Sequence, residues 1–112
     1  MEFNQNRPIY LQIADSISER ILSGELSEGD RILSVRELGA KLGVNPNTAM
    51  RSYEKLTQDG IIYNQRGIGY FVSEGARNIA LEAMRRDFME NEVPQFLRRM
   101  QLLELDSKDI FK

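Results

Sequence analysis

The chain has 112 residues, of which 41% are hydrophobic and 29% charged, and its formal charge is −2, so composition alone indicates an ordinary globular protein. It contains neither cysteine nor histidine, which excludes disulfides, cysteine nucleophiles and the usual zinc ligands. No apolar run approaches the roughly 20 residues of a membrane span and no signal peptide opens the chain, so we expect a cytoplasmic protein with no membrane partner, metal or cofactor.

The first predicted element is an amphipathic helix that follows a polar lead-in, Met1–Arg7. Pro8 suits the first helical position, and isoleucines then recur at every fourth residue, which places them on one helix face. The residues of this face are Ile9, Ile13, Ile17 and Ile21, widened by Tyr10, Ala14 and Leu22. The helix should end near Ser23, where a loop with two glycines begins.

The next stretch predicts two short helices joined by a tight turn. Ser34, with Glu37 three residues later, is a capping-box pattern that starts the first helix. Gly43 should end it, because glycine adopts the left-handed conformation at little cost. Asn45 and Pro46 open the second helix as its cap and its first residue. The apolar stripe of the first helix is Val35, Leu38 and Leu42.

The second helix of this pair has two different faces. The residues expected to pack inward are Ala49, Tyr53 and Leu56. The residues expected on the opposite, outer face are Asn47, Met50, Arg51 and Glu54. Residues 34–72 hold five basic and three acidic side chains, whereas residues 1–30 hold two basic and six acidic ones. A helix, a glycine turn and a helix with a partly basic outer face are typical of a DNA-binding helix-turn-helix.

Two short β-prone runs follow the second helix, which should end at Asp59-Gly60. Ile61–Tyr63 and Tyr70–Val72 flank a polar connection that contains two glycines, and this pattern predicts a β-hairpin. A hairpin directly after the outward-facing helix is the wing of a winged helix-turn-helix. We expect Tyr10, Tyr53 and Phe71 to belong to the core and not to stack on bases.

The residues after Val72 predict helices. One helix should run from about Gly75 to Glu92, where Pro94 interrupts it, and Ser107 should cap a last turn. The apolar positions of these helices are Ala76, Ile79, Ala80, Ala83, Met84, Phe88, Phe96, Leu97, Met100, Leu102 and Leu103. This tail packs either on its own domain or on a second copy. We favour a twofold-symmetric dimer, because two helices cover each other's apolar faces poorly.

In order and spacing, the motifs between Pro8 and Val72 resemble the DNA-binding domain of GntR-family bacterial transcription regulators. The matching motifs are Pro8-Ile9-Tyr10, Gly29-Asp30, Ser34-x-Arg36-Glu37-Leu38, Gly43-Val44-Asn45-x-Asn47-Thr48, Gly60-Ile61-Ile62 and Gly67-x-Gly69-x-Phe71-Val72. The short tail resembles the YtrA-type branch, whose members are typically dimers that repress operons for ABC transporters. The resemblance implies a mainly α fold with a small β-hairpin. It implies a winged helix-turn-helix at 1–73 and a helical dimerisation tail at 74–112.

The same resemblance implies which residues bind. Those expected to bind double-stranded DNA are Ser34, Arg36, Asn45, Asn47, Thr48, Met50, Arg51, Gln65, Arg66 and Gly67. Those expected to pair two copies are Ile79, Ala83, Met84, Phe88, Phe96, Leu97, Met100 and Leu103. Arg51 has an alternative role as the ion-pair partner of Glu54 or Glu37. Leu33, Met50 and Ile68 depart from the family pattern, so no base preference follows.

We therefore predict a sequence-specific transcription regulator, a repressor, that binds an inverted-repeat operator as a homodimer. The alternative is a winged-helix adaptor that binds proteins, which Met50 and Ile68 on the outer surface would favour. An enzyme is not expected, because the scattered carboxylates form no evident pair. An unknown small-molecule effector would find little enclosed volume in a two-helix tail and could lodge at the dimer interface.

Overall fold

The structure, a computed structural model, describes residues 7–111, so most of the predicted lead-in lies outside the described residues. The elements are helices α1 (Ile9–Leu22), α2 (Val35–Leu42) and α3 (Pro46–Gln58), strands β1 (Ile62–Gln65) and β2 (Gly69–Val72), and helices α4 (Ala76–Asp87), α5 (Val93–Leu102) and α6 (Ser107–Ile110). The predicted class, mainly helical with one hairpin, is confirmed. The chain forms two compact units, one ending at Leu81 and the other beginning at Glu82.

The core of the first unit lies between α1, α3 and the hairpin. Its buried apolar residues are Ile13, Ala14, Ile17, Ile21, Leu38, Ala49, Tyr53, Leu56, Ile61, Ile62, Val72, Ala76 and Ala80. The predicted inner face of α3 is therefore confirmed. α1 begins one residue later than predicted, with Pro8 outside it as the N-cap, and Ile9, expected on the inner face, is 44% exposed. The last two alanines show that the start of α4 packs into this core.

Two buried hydroxyl groups tie α3 to its surroundings. The Tyr53 hydroxyl donates to the Leu33 carbonyl oxygen at 2.6 Å, and burial raises the pKa of Tyr53 to about 12, so this donor keeps its proton. The Ser52 hydroxyl donates to the Tyr10 carbonyl oxygen at 2.8 Å. These bonds fix α3 to α1 and to the segment before α2, because a buried hydroxyl without a partner would be costly.

The hairpin is longer than predicted. Gln65 pairs with Gly69, so the strands extend toward the tip and leave three residues, 66–68, in the turn. The Ile68 amide closes this turn by donating to the Gln65 carbonyl oxygen at 2.9 Å. The chain before α2 adds an outer edge to β2, because the Ile32 amide donates to the Tyr70 carbonyl oxygen at 3.0 Å. The wing therefore has three backbone segments at its base.

Two predictions about the tail are wrong in detail. Pro94 does not interrupt the helix, since a π-helical segment, Phe88–Glu92, leads directly into α5. In it the Val93 amide donates to the Phe88 carbonyl oxygen, a wider turn than an α-helix makes, and Pro94 sits in the first turn of α5, where no amide is needed. The last helix is capped by the Asp106 carboxylate and not by Ser107.

Candidate nucleic-acid interface

The start of α2 is fixed by the predicted capping box. The Glu37 amide donates to the Ser34 hydroxyl at 3.1 Å, and the Ser34 amide donates to the Glu37 carboxylate at 3.1 Å. These reciprocal bonds satisfy two donors that a helix start leaves free. Arg36, inside this first turn, is exposed. Its side chain therefore projects from a helix end whose direction is set by hydrogen bonds.

The charge of Glu37 is stabilised by this cap. The Ser34 backbone amide and then the Ser34 hydroxyl hold the pKa of Glu37 below its ordinary value, and the positive charge of Arg31 acts in the same direction. A lowered pKa means that the carboxylate stabilises the folded state above the ordinary pKa. That contribution is lost as the pH falls through the lowered value.

We therefore expect Glu37→Gln to lower the midpoint of thermal unfolding slightly at pH 7, because the amide keeps an acceptor for Ser34 but has no charge. The difference from the wild type should shrink as the pH falls below about 4.3, the ordinary glutamate value. Unfolding scans between neutral and acid pH measure it, with Glu54→Gln as a charge-removing control outside any cap. A difference that stays constant with pH would contradict this role of the charge.

The turn between α2 and α3 depends on two glycines. Gly43 ends α2 with φ +69°, a left-handed conformation that favours glycine. Gly39 is buried within α2, and a Cβ there would lie 3.1 Å from the Val44 carbonyl oxygen. A larger residue at Gly39 would push α3 away. The role of Gly43 was predicted from its position at the expected helix end, but no pattern in the sequence indicated the role of Gly39.

The outer face of α3 is exposed along its length. Asn47, Met50, Arg51 and Glu54 are all exposed, while Thr48 is half-buried. The Asn45 carboxamide oxygen accepts from the Asn47 amide at 2.8 Å, so Asn45 is occupied as the N-cap. Ser34 and Asn45 therefore have a demonstrated structural role. The remaining predicted residues of α2 and α3 present their side chains outward or at the edge of the core.

The tip of the wing carries the other predicted residues. Gln65, Arg66 and Gly67 are exposed, and Gly67 has φ +79°, which the tight turn requires. Ile68 is also exposed, so the tip presents one cation beside an apolar side chain. On the outer side of the strands the Tyr63 and Phe71 rings stack with centroids 5.7 Å apart. Phe71 is half-buried, and only Tyr53 of the three aromatic residues expected in the core is fully buried.

Arg31 is a cation of this surface that the sequence analysis did not single out. Its backbone bridges to Phe71, and its guanidinium lies over Gly69, where a Cβ would come within 3.1 Å of Arg31 Nε. Gly69 has φ +145°, so the lack of a side chain serves both the backbone and this close approach. The only hint in the sequence was that a glycine stands in a strand, since such a glycine often marks a close contact.

The arginines of this surface are free of ion pairs with the described chain. Within residues 7–111 the ion pairs join Arg7 to Asp15, Arg20 to Glu25, and Lys55 to Asp59. The alternative partners expected for Arg51, Glu54 and Glu37, are thus not used. Instead the Arg51 guanidinium carbon lies 4.1 Å from the centroid of the Tyr10 ring. Arg36, Arg51 and Arg66 keep their charge available for an anionic partner.

The winged helix-turn-helix has a clear counterpart among known families. Residues 9–72 match the model of the bacterial regulatory proteins of the gntR family. The chain belongs to the GntR family. It is thus a helix-turn-helix transcription regulator of a DNA-binding family and not an enzyme. The resemblance inferred from the sequence motifs is confirmed.

Relatives match beyond this domain. The chain is similar to the uncharacterized HTH-type transcriptional regulator YhcF of Bacillus subtilis (strain 168), with 35% identity over 113 residues that cover 99% of this chain and 90% of YhcF. It is 41% identical over 75 residues to the HTH-type transcriptional repressor YtrA of the same strain, covering 67% of this chain and 58% of YtrA. A solved GntR family transcriptional regulator from Listeria monocytogenes is 35% identical with a TM-score of 0.75, covering 96% of this chain and 93% of that one.

Neither a membrane-spanning helix nor a cluster of metal ligands is found in the described part of the chain. Between Arg7 and Phe111, no helix combines the length and the apolar character that a membrane crossing requires. In the same range, aspartate and glutamate side chains form no group of three that could hold a metal ion.

Proposed function

We propose that this GntR-family chain is a repressor that binds an inverted-repeat operator as a homodimer. In the proposal, α3 enters the major groove with Asn47, Thr48 and Arg51 at the base edges, and Met50 lies on the same face. Arg36 binds at the start of α2, next to the caps formed by Ser34 and Asn45. The wing tip, Gln65–Gly67, lies along the adjacent minor groove.

The observation that carries this proposal is the division of α3 into two faces. Ala49, Ser52, Tyr53 and Leu56 are buried, whereas the opposite side is exposed and carries Arg51, which makes no ion pair with residues 7–111. An exposed guanidinium can reach a phosphate or bind guanine in a bidentate manner. Arg36 and Arg66 add two exposed positive charges from neighbouring parts of the same unit.

The homodimer is supported by the apolar surface of the second unit. Its exposed large apolar residues are Phe88, Met89, Phe96, Leu97, Leu102, Leu103, Leu105, Ile110 and Phe111. α5 has no buried residue in the described chain although its apolar side chains recur at helical spacing. So much apolar surface in so short a segment is typical of a protein interface. Ala83 and Met84 lie on α4 and Met100 lies on α5, whereas Ile79 packs against the core of the first unit.

A twofold-symmetric dimer also determines the symmetry of the operator. Two identical α3 helices related by a twofold axis read the same bases on opposite strands, which makes an inverted repeat the matching site. In the proposal, any small-molecule effector binds between the paired tails. The cleft of the first unit, between α1 and α2, measures about 260 Å³, less than the roughly 300 Å³ at which ligand pockets begin.

We expect Arg36→Ala to weaken binding to the preferred operator by roughly 5- to 150-fold, corresponding to about 1–3 kcal/mol for a base contact. The operator is obtained by letting the purified protein select duplexes from a random-sequence pool. Affinity is then measured by gel shift at several salt concentrations. The slope of log affinity against log salt concentration should also become less negative by about one, the value for one lost contact.

Lys41→Ala is the matched control for this variant. It removes the same charge from an exposed residue of α2 about 140° further round the helix, so it should change affinity little. A wild-type protein that selects no duplex over random sequence would refute specific DNA binding. The adaptor alternative, which the exposed Met50 and Ile68 favour, would then be tested by looking for a protein partner.

A further inference from the structure

Arg51 does not extend freely into solvent, because its guanidinium carbon lies over the Tyr10 ring at 4.1 Å from the centroid. Tyr10 belongs to the first turn of α1 and is half-buried. Its carbonyl oxygen accepts from the hydroxyl of Ser52, the buried residue next to Arg51, at 2.8 Å. The first turn of α1, which carries the ring, is thus also hydrogen-bonded to the residue beside Arg51.

This arrangement suits an arginine that must bind a ligand. A guanidinium over an aromatic face is attracted by the electrons of the ring, while its five N–H donors point within its own plane. The Arg51 guanidinium makes no ion pair within residues 7–111, so its donors stay available. A long side chain that is already held in one place loses less conformational freedom when it binds.

We propose that Tyr10 is a positioning residue for DNA recognition: its ring holds Arg51 of α3 in the orientation that contacts the operator. This inference rests on the proposed function, since it requires Arg51 to bind DNA. It assigns a role in recognition to a residue of α1, a helix that carries none of the residues expected to contact DNA.

The test compares Tyr10→Leu with Tyr10→Phe on the duplex that the wild-type protein selects from a random pool. Tyr10→Leu removes the ring and should weaken binding roughly three- to tenfold, whereas Tyr10→Phe keeps the ring and should bind like the wild type. In a background with Arg51→Ala, Tyr10→Leu should have no further effect, because the residue it positions is gone. Thermal unfolding shows that each variant is folded, and Tyr10→Met replaces Tyr10→Leu if that variant is not.

Nuclear magnetic resonance of the free protein checks the geometry without DNA. The side-chain protons of Arg51 should show a ring-current shift that Tyr10→Phe keeps and Tyr10→Leu abolishes. Equal losses of affinity from Tyr10→Leu with and without Arg51 would reveal a purely structural role and overturn the inference. Unchanged affinity in Tyr10→Leu, when Arg51→Ala does weaken binding, would overturn it too. A wild-type protein that selects no duplex refutes the proposed function instead, so the two failures are distinguishable.

Discussion

Phe96→Asp is expected to convert the proposed dimer into a monomer and to weaken operator binding by roughly 10²- to 10⁴-fold. Phe96 is 49% exposed and Leu97 is 54% exposed on α5. If two copies bury this face, an aspartate there loses its hydration without gaining a partner, which costs several kcal/mol. Affinity falls because a dimer that has bound one half-site meets the second at a high effective concentration, whereas a monomer binds one half-site only.

The oligomeric state is measured by size-exclusion chromatography with light scattering, and affinity by gel shift on operators with one and two half-sites. Gln95→Asp is the matched control, since it places the same charge on the adjacent exposed residue, about 100° round the helix from Phe96 and further from Leu97 and Met100. The wild type and Gln95→Asp should prefer two half-sites, and Phe96→Asp should bind both operators equally. A Phe96→Asp protein that stays dimeric would contradict the proposed interface.

Leu56→Ala is expected to lower the free energy of unfolding by about 2–5 kcal/mol. Leu56 is 1% exposed on the inner face of α3, so truncation leaves a cavity in the core. A domain of this size is stabilised by only about 5–15 kcal/mol, so the loss is a large part of the total. Urea unfolding followed by circular dichroism measures it.

Met50→Ala is the control for Leu56→Ala, because Met50 lies on the outer face of the same helix and is 38% exposed. Its effect on the free energy of unfolding should stay within about 0.5 kcal/mol, as is usual for surface substitutions. Truncation on the inner face should therefore lower the free energy of unfolding, whereas truncation on the outer face should leave it almost unchanged. Equal destabilisation by both would mean that α3 does not have one structural face and one recognition face.

The helix-turn-helix could be predicted because its signals are local. Ser34 with Glu37, Gly43, and Asn45 with Pro46 each act within four residues, and each cap is present where it was expected. The tail was predicted less well for the same reason. Pro94 is a local signal for a break, but a π-helical turn in the preceding residues absorbs it, and no sequence pattern indicates such a turn.

The contacts of Arg31 and Tyr10, which sequence analysis missed, join residues far apart in the chain. Arg31 reaches Gly69 and Phe71, and Tyr10 reaches Arg51, with more than thirty residues between partners. Spacing rules describe neighbours on one helix or strand, so they suggested Glu54 and Glu37 as partners for Arg51. The Tyr10 ring reaches Arg51 only because α1 packs against α3.

The caps of α2 and α3 have a consequence for how regulators with this architecture diverge. Ser34 and Asn45 hold helix ends together, so replacing them would harm folding whatever DNA is present. The side chains of Asn47, Met50 and Arg51 cap no helix and lie on the outer face of α3. In the proposed mode of DNA binding, new promoter preferences therefore arise by exchanges at these three positions without loss of thermal stability, which makes them the sites to vary when the protein is retargeted in the laboratory.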